Sequence, residues 1–221
     1  MQPAEQEKTM IIGIPIYEKV DLLDVAAPAE IFDSMKANAP QLKVEVCLVA
    51  EHRGDVLTRA GVTIKADKCF DEVPHIDVLW VPGGDPSALN KLMHDPKRTY
   101  LNFLITRAAN AQYVTSVCEG ALLLAKAGLL DGYLATTHWA FIPCLKQFKA
   151  VNVANGYPRF VVDRNRVTGG GISSGLDEAL KMVELLAGYE VAQQVQQFTQ
   201  YYPAPPVASM IPEAGGCPLD E

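Results

Sequence analysis

The segment around Cys118 constrains the fold of this chain most strongly. An apolar run of β type, Tyr113-Val114-Thr115-Ser116-Val117, is followed at once by a helical run that begins at Gly120, with only Cys118 and Glu119 between them. A strand that passes so sharply into a helix is typical of a nucleophile elbow, which raises one reactive side chain above a parallel sheet and directs a helix N-terminus towards it. We therefore predict that Cys118 stands at such an elbow.

Further apolar runs predict the other strands of the sheet. A continuous apolar run such as residues 10–17 is typical of a strand that is buried on both faces, whereas alternation indicates a strand with one polar face. We predict strands over residues 10–17, 43–49, 62–64, 78–81, 113–117, 134–137, 159–162 and 166–168, the last two as a hairpin-like pair. A helix is predicted over residues 98–110. Strands that alternate with helices indicate a doubly wound, mostly parallel sheet with helices on both faces.

Three candidate site residues follow predicted strands. Asp24 comes after the first strand, Gly84 lies in Pro82-Gly83-Gly84-Asp85 after the strand over 78–81, and Cys118 ends the elbow strand. Ligands of doubly wound sheets bind at the carboxyl ends of the strands. We therefore expect Asp24, Gly84 and Cys118 to lie together at one rim of the sheet.

Two helix starts carry local signals. The helix that contains Asp24 is expected to begin at that residue, because Pro28 is tolerated only in a first turn. A second helix is expected after Gly169-Gly170-Gly171, where Ser174 and Asp177 have the spacing of a capping box and the following apolar residues share one face.

Length, composition and charge limit the function classes. The chain has 221 residues, of which 49% are hydrophobic, and this suits one α/β domain. We assign residues 10–202 to this domain, residues 1–9 to an extended or disordered N-terminus, and residues 203–221 to an extended, proline-rich tail. The formal net charge of −7 argues against nucleic acid as a partner. A polar N-terminus and the lack of an apolar run of about 18 residues predict a soluble, cytoplasmic protein without a membrane segment.

The cysteines and histidines do not indicate a metal site. The five cysteines form no CxxC pair, and the four histidines form no HxH or HxxxH pair. We interpret all five cysteines as reduced thiols and expect the four other than Cys118 to be inert; they are Cys47, Cys69, Cys144 and Cys217. His138 is interpreted as a structural histidine rather than a catalytic base.

The residues of the elbow support nucleophilic chemistry. A helix N-terminus stabilises a thiolate through its partial positive charge, and Cys118 has that placement. Negative charge that develops after its attack on a carbon could be received by the backbone amides of Gly84 and Glu119. A carboxyl group at Asp24 or Glu119 could move protons. For Asp24 the alternative role of a helix cap stays open, and for the glycines that of a tight turn.

Together these motifs resemble the ThiJ/PfpI superfamily of class I glutamine amidotransferase-like proteins. The resemblance spans roughly residues 10–206, and within the superfamily it is strongest to the isocyanide hydratases. The segments that carry it are 23–28 (LDVAAP), 113–118 (YVTSVC), 135–139 (ATTHW), 167–172 (VTGGGI) and 196–206 (QQFTQYYPAPP). The resemblance implies a flavodoxin-like three-layer sandwich.

The resemblance also implies an activity. Isocyanide hydratases convert R-NC to an N-formamide as homodimers without a metal or an organic cofactor. By resemblance, Cys118 is the nucleophile and Asp24 the carboxyl group that handles protons, with a small molecule as the substrate. These hydratases carry Thr directly after the nucleophile, where this chain has Glu119. The side chain of Glu119 either enters the site as a protonated acid or points away and leaves only its backbone amide there.

Other members of the superfamily suggest alternative functions. A thiol beside a carboxyl group also suits a glyoxalase or deglycase that acts on α-oxoaldehydes, and a cysteine-based redox sensor would need the same thiol. Peptidase-like members place His directly after the cysteine, where this chain has Glu119. The ligand-sensing domains of AraC-type regulators continue into a helix-turn-helix region, whereas this chain has a proline-rich tail after residue 203.

Overall fold

The fold is a seven-stranded sheet enclosed by helices. The structure is a computed structural model and describes residues 9–220. Residues 1–8, the greater part of the predicted N-terminal segment, lie outside the described residues. The strands are β1 (Met10–Pro15), β2 (Val44–Ala50), β3 (Gly54–Leu57), β4 (Thr63–Ala66), β5 (Lys68–Cys69), β6 (Val78–Val81), β7 (Tyr113–Ser116), β8 (Leu134–Ala135), β9 (Asn152–Val153), β10 (Phe160–Asp163) and β11 (Arg166–Gly169). The helices are α1 (Leu22–Asn38), α2 (Pro86–Met93), α3 (Thr99–Ala108), α4 (Gly120–Lys126), α5 (Ile142–Leu145), α6 (Ser174–Ala187) and α7 (Tyr189–Phe198).

The main sheet has the order β10-β11-β7-β6-β1-β2-β5. All neighbouring strands in it are parallel except β10 and β11, which form the antiparallel pair that the sequence predicts. Every residue of the central strand β6 is buried, as expected for a strand covered on both faces. The predicted mostly parallel, flavodoxin-like sheet is thus confirmed. Two further pairs, β3 with β4 and β8 with β9, lie outside the main sheet.

The helices form two layers. Helices α1, α6 and α7 pack against one another, and α2, α3 and α4 pack together in a second group that contacts β6 and β7. Because the first group joins the N-terminal helix to the last two helices of the chain, residues far apart in sequence meet around the elbow.

The predicted start of the first helix is wrong. Helix α1 begins at Leu22, with Asp21 at the N-cap, so that Pro28 lies inside the helix in its second turn. Proline has no N–H to donate to the carbonyl of Asp24 four residues earlier, and this loss usually disfavours an interior proline. Here the indole Nε1 of Trp80 on β6 donates to that carbonyl at 3.0 Å. The tertiary contact therefore replaces the missing helical bond and fixes the backbone of Asp24 against the sheet.

The predicted capping box at Ser174 is also wrong. The N-cap residue of α6 is Ser173, and no side chain there caps the helix. Instead, Arg159 donates to Asp177 Oδ2 at 2.7 Å and to Ser173 Oγ at 2.9 Å. The ion pair between Arg159, directly before β10, and Asp177 thus stabilises the first turn of α6.

Two of the cysteines predicted to be reduced and inert are joined. Cys144 of α5 forms a disulfide with Cys217 in the C-terminal segment, while Cys47, Cys69 and Cys118 are free. The partners are 73 positions apart in the sequence, and no local pattern indicates their pairing. Residues 203–220 contain no helix or strand, and the disulfide attaches this segment to α5.

No helix among residues 9–220 is both long enough and apolar enough to cross a bilayer.

Candidate active site

Cys118 stands at a sharp turn between β7 and α4. Its φ is 56°, in the left-handed region that a residue with a side chain rarely occupies, and strain of this kind clusters at functional sites. The backbone N–H of Cys118 donates to the carbonyl of Gly170 at 2.8 Å, and its own carbonyl accepts from Thr137 Oγ1 at 2.7 Å. A Cβ on Gly120 would clash with the carbonyl of Val81. The glycine thus lets α4 begin directly against β6, which gives the elbow its form.

The side chain of Glu119 enters the site. Only 3% of the residue is exposed, and one of its carboxylate oxygens lies within 4.8 Å of the Cys118 Sγ. Its Oε2 has no hydrogen-bond partner among residues 9–220. Burial raises the pKa of Glu119 from 4.5 to about 7, although its interaction with the Cys118 thiol opposes the rise. The sequence left open whether the side chain of Glu119 enters the site or points away. In the structure it enters the site, beside the thiol of Cys118.

Gly83 provides the space for this arrangement. A Cβ at Gly83 would lie 2.8 Å from the backbone nitrogen of Glu119 and 2.9 Å from the Cβ of Cys118. Any larger residue would therefore displace the elbow. The predicted candidate Gly84 faces a different segment: a Cβ there would lie 2.7 Å from the carbonyl oxygen of Lys19.

Asp24 is a buried acid from the first turn of α1. It is fully buried, its Oδ2 accepts from the backbone N–H of Gly83 at 2.9 Å, and its Oδ1 has no hydrogen-bond partner within residues 9–220. Burial first, and then the charge of Glu119, raise the pKa of Asp24 well above its usual value. The backbone N–H of Gly83 therefore binds Asp24, and the absence of a side chain at Gly83 leaves room for Glu119.

The environment of Cys118 favours the thiol over the thiolate. The residue is 1% exposed, and burial together with the charges of Asp24 and Glu119 raises the pKa of Cys118 well above 9.0. The helix N-terminus was expected to stabilise a thiolate, but desolvation and two acids outweigh it. A thiolate at this position therefore requires a base that takes the thiol proton, and one carboxylate oxygen of Glu119 lies within 4.8 Å of the Cys118 Sγ.

Comparison with known proteins agrees with this geometry. Residues 10–185 match the DJ-1/PfpI family. The chain belongs to the DJ-1/PfpI family. The resemblance predicted from the sequence motifs is thus confirmed. A solved ThiJ/PfpI family protein from Pseudomonas syringae has a TM-score of 0.80 and 33% identity, and the match covers 90% of this chain and 78% of that one.

Curated relatives differ in their functions. The isonitrile hydratase of Pseudomonas putida is 39% identical over 202 residues, which cover 91% of this chain and 83% of that protein. The transcriptional regulator GbdR of Pseudomonas aeruginosa, of the helix-turn-helix type, is 29% identical over 141 residues. Those residues cover 64% of this chain but 37% of the regulator.

Sequence analysis missed two buried acids of this DJ-1/PfpI site. Asp21, the N-cap residue of α1, is 6% exposed and lies with its carboxylate close to Cys118 and Glu119. Its Oδ1 accepts from Arg59 at 3.4 Å. Glu178 of α6 is fully buried, and the charge of Asp24 contributes to its raised pKa. Asp21 follows the same strand as Asp24 and so carried the same positional signal, whereas Glu178 lies on a helix face that the sequence does not distinguish.

His138 has a structural role. Its Nδ1 accepts from the backbone N–H of Ala140 at 3.3 Å and so caps a short 3₁₀ turn over Trp139–Phe141. Burial lowers the pKa of His138, so the ring is neutral near pH 7. This geometry agrees with the interpretation of His138 as a structural histidine.

A cavity of about 370 Å³ lies beside the elbow. Its wall includes Thr137 and Gly170, the two residues that hydrogen bond to the backbone of Cys118. The rest of the wall is mainly apolar and includes His138, Trp139, Tyr157, Pro158, Ile172 and Ile211. Ile211 belongs to the C-terminal segment that the disulfide attaches to α5. The tail therefore forms part of the cavity next to Cys118.

Proposed function

We propose that this protein hydrates isocyanides, converting R-NC and water to the N-formamide R-NH-CHO. The observation that carries the proposal is the Cys118 thiol on a strained elbow, with a carboxylate oxygen of the buried Glu119 within 4.8 Å of its Sγ. The named activity of the Pseudomonas putida relative, isonitrile being another word for isocyanide, supports it at 39% identity. We assign Cys118 as the nucleophile and Asp24 and Glu119 as the acids that move protons.

The first half of the reaction forms a thioimidate. Glu119 takes the proton of the thiol as the sulfur attacks the terminal carbon of the isocyanide, forming the S–C bond. The lone pair that this attack leaves on the same carbon then accepts a proton from a carboxyl group, which gives Cys-S-CH=N-R. The pKa of Glu119 near 7 suits both directions of transfer at neutral pH.

The second half releases the product. Water adds to the thioimidate carbon, one of its protons going to a carboxylate, and the nitrogen gains a proton to give Cys-S-CH(OH)-NH-R. Breakage of the C–S bond then forms the formyl C=O and returns the thiol. Asp24, whose Oδ1 has no hydrogen-bond partner among residues 9–220, is positioned to orient the water and to carry its proton. We assign the backbone amide of Glu119, which directly follows Cys118, to negative charge that develops in these steps.

The apolar cavity suits the substituent R. Its wall is mainly aromatic and aliphatic, and Arg159 is the charged residue among those that line it. We therefore expect aryl and branched alkyl isocyanides to be better substrates than short or charged ones.

A glyoxalase or deglycase reaction is the second candidate. The deglycase PH1704 of Pyrococcus horikoshii is 30% identical over 101 residues, which cover 42% of this chain. A thiol paired with a carboxyl group also suits addition to an α-oxoaldehyde. A redox sensor based on Cys118 would use the same thiol without turnover.

One experiment separates these functions. Purified protein is mixed with an aryl isocyanide, and formamide formation is followed alongside turnover of methylglyoxal. The proposal expects formamide. Methylglyoxal turnover without formamide from any of several isocyanides would favour the second candidate, and oxidation of Cys118 without turnover of either compound would favour the sensor.

Asp24→Asn is expected to lower kcat by about 10²-fold, the usual contribution of a positioned general acid or base. The amide oxygen of Asn can still accept from the N–H of Gly83, so the local structure is kept while the proton is lost. The measurement is kcat and KM for an aryl isocyanide. Asp33→Asn, an exposed position on the same helix, is the control and should match the wild type. A kcat within twofold of wild type for Asp24→Asn would remove Asp24 from the mechanism.

Cys217→Ser is expected to raise KM for an aryl isocyanide more than for methyl isocyanide, with kcat little changed. Loss of the disulfide frees the segment that carries Ile211, and so opens the apolar wall against which an aryl group would pack. The variant should also lose about 2–4 kcal/mol of unfolding free energy, the usual contribution of a disulfide. Cys69→Ser, a free cysteine away from the tail, is the control. Equal KM changes for both substrates would contradict a role of the tail in the substrate cavity.

We further propose a cytoplasmic homodimer that acts on a small molecule without a cofactor. Exposed apolar side chains on α7 and the tail, including Phe198, Tyr202 and Met210, provide a surface that a second copy could cover. Size-exclusion chromatography with light scattering measures the oligomeric state directly.

A further inference from the structure

Three possible metal ligands meet beside the elbow. One carboxylate oxygen of Asp21, the Sγ of Cys118 and one carboxylate oxygen of Glu119 all lie within 4.8 Å of one another, and all three residues are buried. Asp21 and Glu119 are 6% and 3% exposed, and each has an oxygen, Oδ2 and Oε2 respectively, without a hydrogen-bond partner among the described residues. Buried polar atoms of proteins are normally satisfied, so two such orphans in one cluster indicate a missing ligand.

The charges around this cluster also favour a cation. Asp24 adds a further buried acid, whose charge raises the pKa of Cys118 and whose own pKa is raised by the charge of Glu119. The cationic partner of Asp21 is Arg59, whose side chain is half exposed and reaches Asp21 at 3.4 Å. One peripheral guanidinium therefore faces three buried carboxyl groups and a thiol. Without a cation, protonation limits the negative charge of these buried groups. A divalent ion would balance that charge and allow the groups to ionise.

We propose that Asp21, Cys118 and Glu119 form a binding site for a thiophilic divalent cation of the Zn²⁺ type. One thiolate and two carboxylates are a ligand set that zinc accepts, and a substrate or water would complete its four-coordinate shell. Bonds of about 2.3 Å to sulfur and 2.0–2.2 Å to oxygen bring tetrahedral ligands to about 3.5 Å from one another. The side chains therefore have to close by roughly 1 Å on binding, by rotation about their own torsions.

The bound cation would hold Cys118 as a metal thiolate. The lone pair that attacks an electrophile would then be engaged with the metal, so Zn²⁺ is expected to inhibit any reaction of this thiol and a chelator to restore it. The site does not depend on isocyanide hydration being the reaction. It rests on the three ligands alone, so the experiment measures cation binding and not turnover.

The test is a titration of the intact, chelator-treated protein with Cd²⁺, followed by the ultraviolet charge-transfer absorption of a cadmium–thiolate bond, with Zn²⁺ as competitor. We expect one equivalent of Cd²⁺ to bind, Zn²⁺ to displace it, and the absorption to be absent in Cys118→Ser. Asp21→Asn and Glu119→Gln, which keep side-chain size, should each weaken Cd²⁺ binding by about tenfold or more, as loss of a charged ligand does.

Matched controls separate this site from other thiols and acids. Cys47→Ser removes a different buried free cysteine, and Asp85→Asn removes an acid near Arg59 that lies outside the cluster. Both should bind Cd²⁺ as the wild type does, and thermal unfolding verifies that each variant is folded. The proposal is overturned if no thiolate absorption develops at millimolar Cd²⁺, if it persists in Cys118→Ser, or if both Asp21→Asn and Glu119→Gln bind like the wild type.

Discussion

Cys118→Ala is expected to abolish formamide production, lowering kcat by at least about 10³-fold, because no other group in the site can form the covalent intermediate. Cys47 and Cys69 are the other free thiols among the described residues, and neither lies at the elbow. Cys118→Ser should also be inactive, since its hydroxyl gives up a proton less readily than a thiol and is a weaker nucleophile. The measurement is formamide appearance under single-turnover and steady-state conditions.

The control for this loss is Cys69→Ala. It removes a free thiol of intermediate exposure and should leave kcat unchanged. Circular dichroism of Cys118→Ala should match the wild type, because the replaced side chain is small and the left-handed backbone at this position is no worse for Ala than for Cys. Formamide production above one-tenth of the wild-type rate by folded Cys118→Ala would contradict covalent catalysis at this residue.

Glu119→Gln is expected to stabilise the protein at alkaline pH. The native pKa of Glu119 is about 7, against 4.5 for the free group. Between these values the native state binds more protons than the unfolded state, so the free energy of unfolding falls as the pH rises from 4.5 through 7. Above pH 7 the folded protein carries a buried carboxylate at a cost that Gln, a neutral side chain of the same shape, avoids.

The size of this effect follows from the shift. We expect Glu119→Gln to raise the free energy of unfolding by about 3 kcal/mol at pH 8 and by less than about 1 kcal/mol at pH 5. The measurement is urea denaturation of wild type and variant at both pH values in metal-free buffer. The difference between the two proteins isolates Glu119 from the other buried acids. An equal difference at pH 5 and pH 8 would show that Glu119 does not titrate as the structure indicates.

The same position tests the proposed proton transfer. Glu119→Thr places at this site the residue that the resemblance assigns to isocyanide hydratases, and we expect it to retain formamide production with Asp24 taking the thiol proton instead. Because Glu119 must be ionised to take that proton, the wild type should lose activity on the acidic side of pH 7, where Glu119 is protonated. Glu119→Thr should lack that acidic loss. A wild-type rate that is flat from pH 6 to pH 9 would contradict the role assigned to Glu119.

The elements that could be predicted from the sequence are those with a local cause. Buried parallel strands are continuous apolar runs, so β1, β6 and β7 were identified within a few residues. The elbow was visible because an apolar strand meets a helical run across two residues. Helix α7 was missed, although Val191, Val195 and Phe198 have the i, i+4, i+7 spacing of one helical face.

Part of the site was predictable for the same reason. Cys118 and Asp24 follow strands whose carboxyl ends meet at one rim, and topology brings such residues together. The structure adds Gly83 between them, through its hydrogen bond to Asp24 and its close approach to Cys118. Which of two adjacent glycines faces the thiol depends on the path of the chain after β6, and a sequence pattern does not specify it.

The sequence by itself determined the sheet, the elbow and the place of Cys118 at its turn, because each depends on a pattern in consecutive residues. Only the tertiary structure decided the direction of the Glu119 side chain, the place of Asp21 beside it, and the disulfide between Cys144 and Cys217. These features depend on distances between segments that lie far apart in the chain. The raised pKa of Cys118 has the same origin, since burial and the charges of three acids together determine whether its proton leaves.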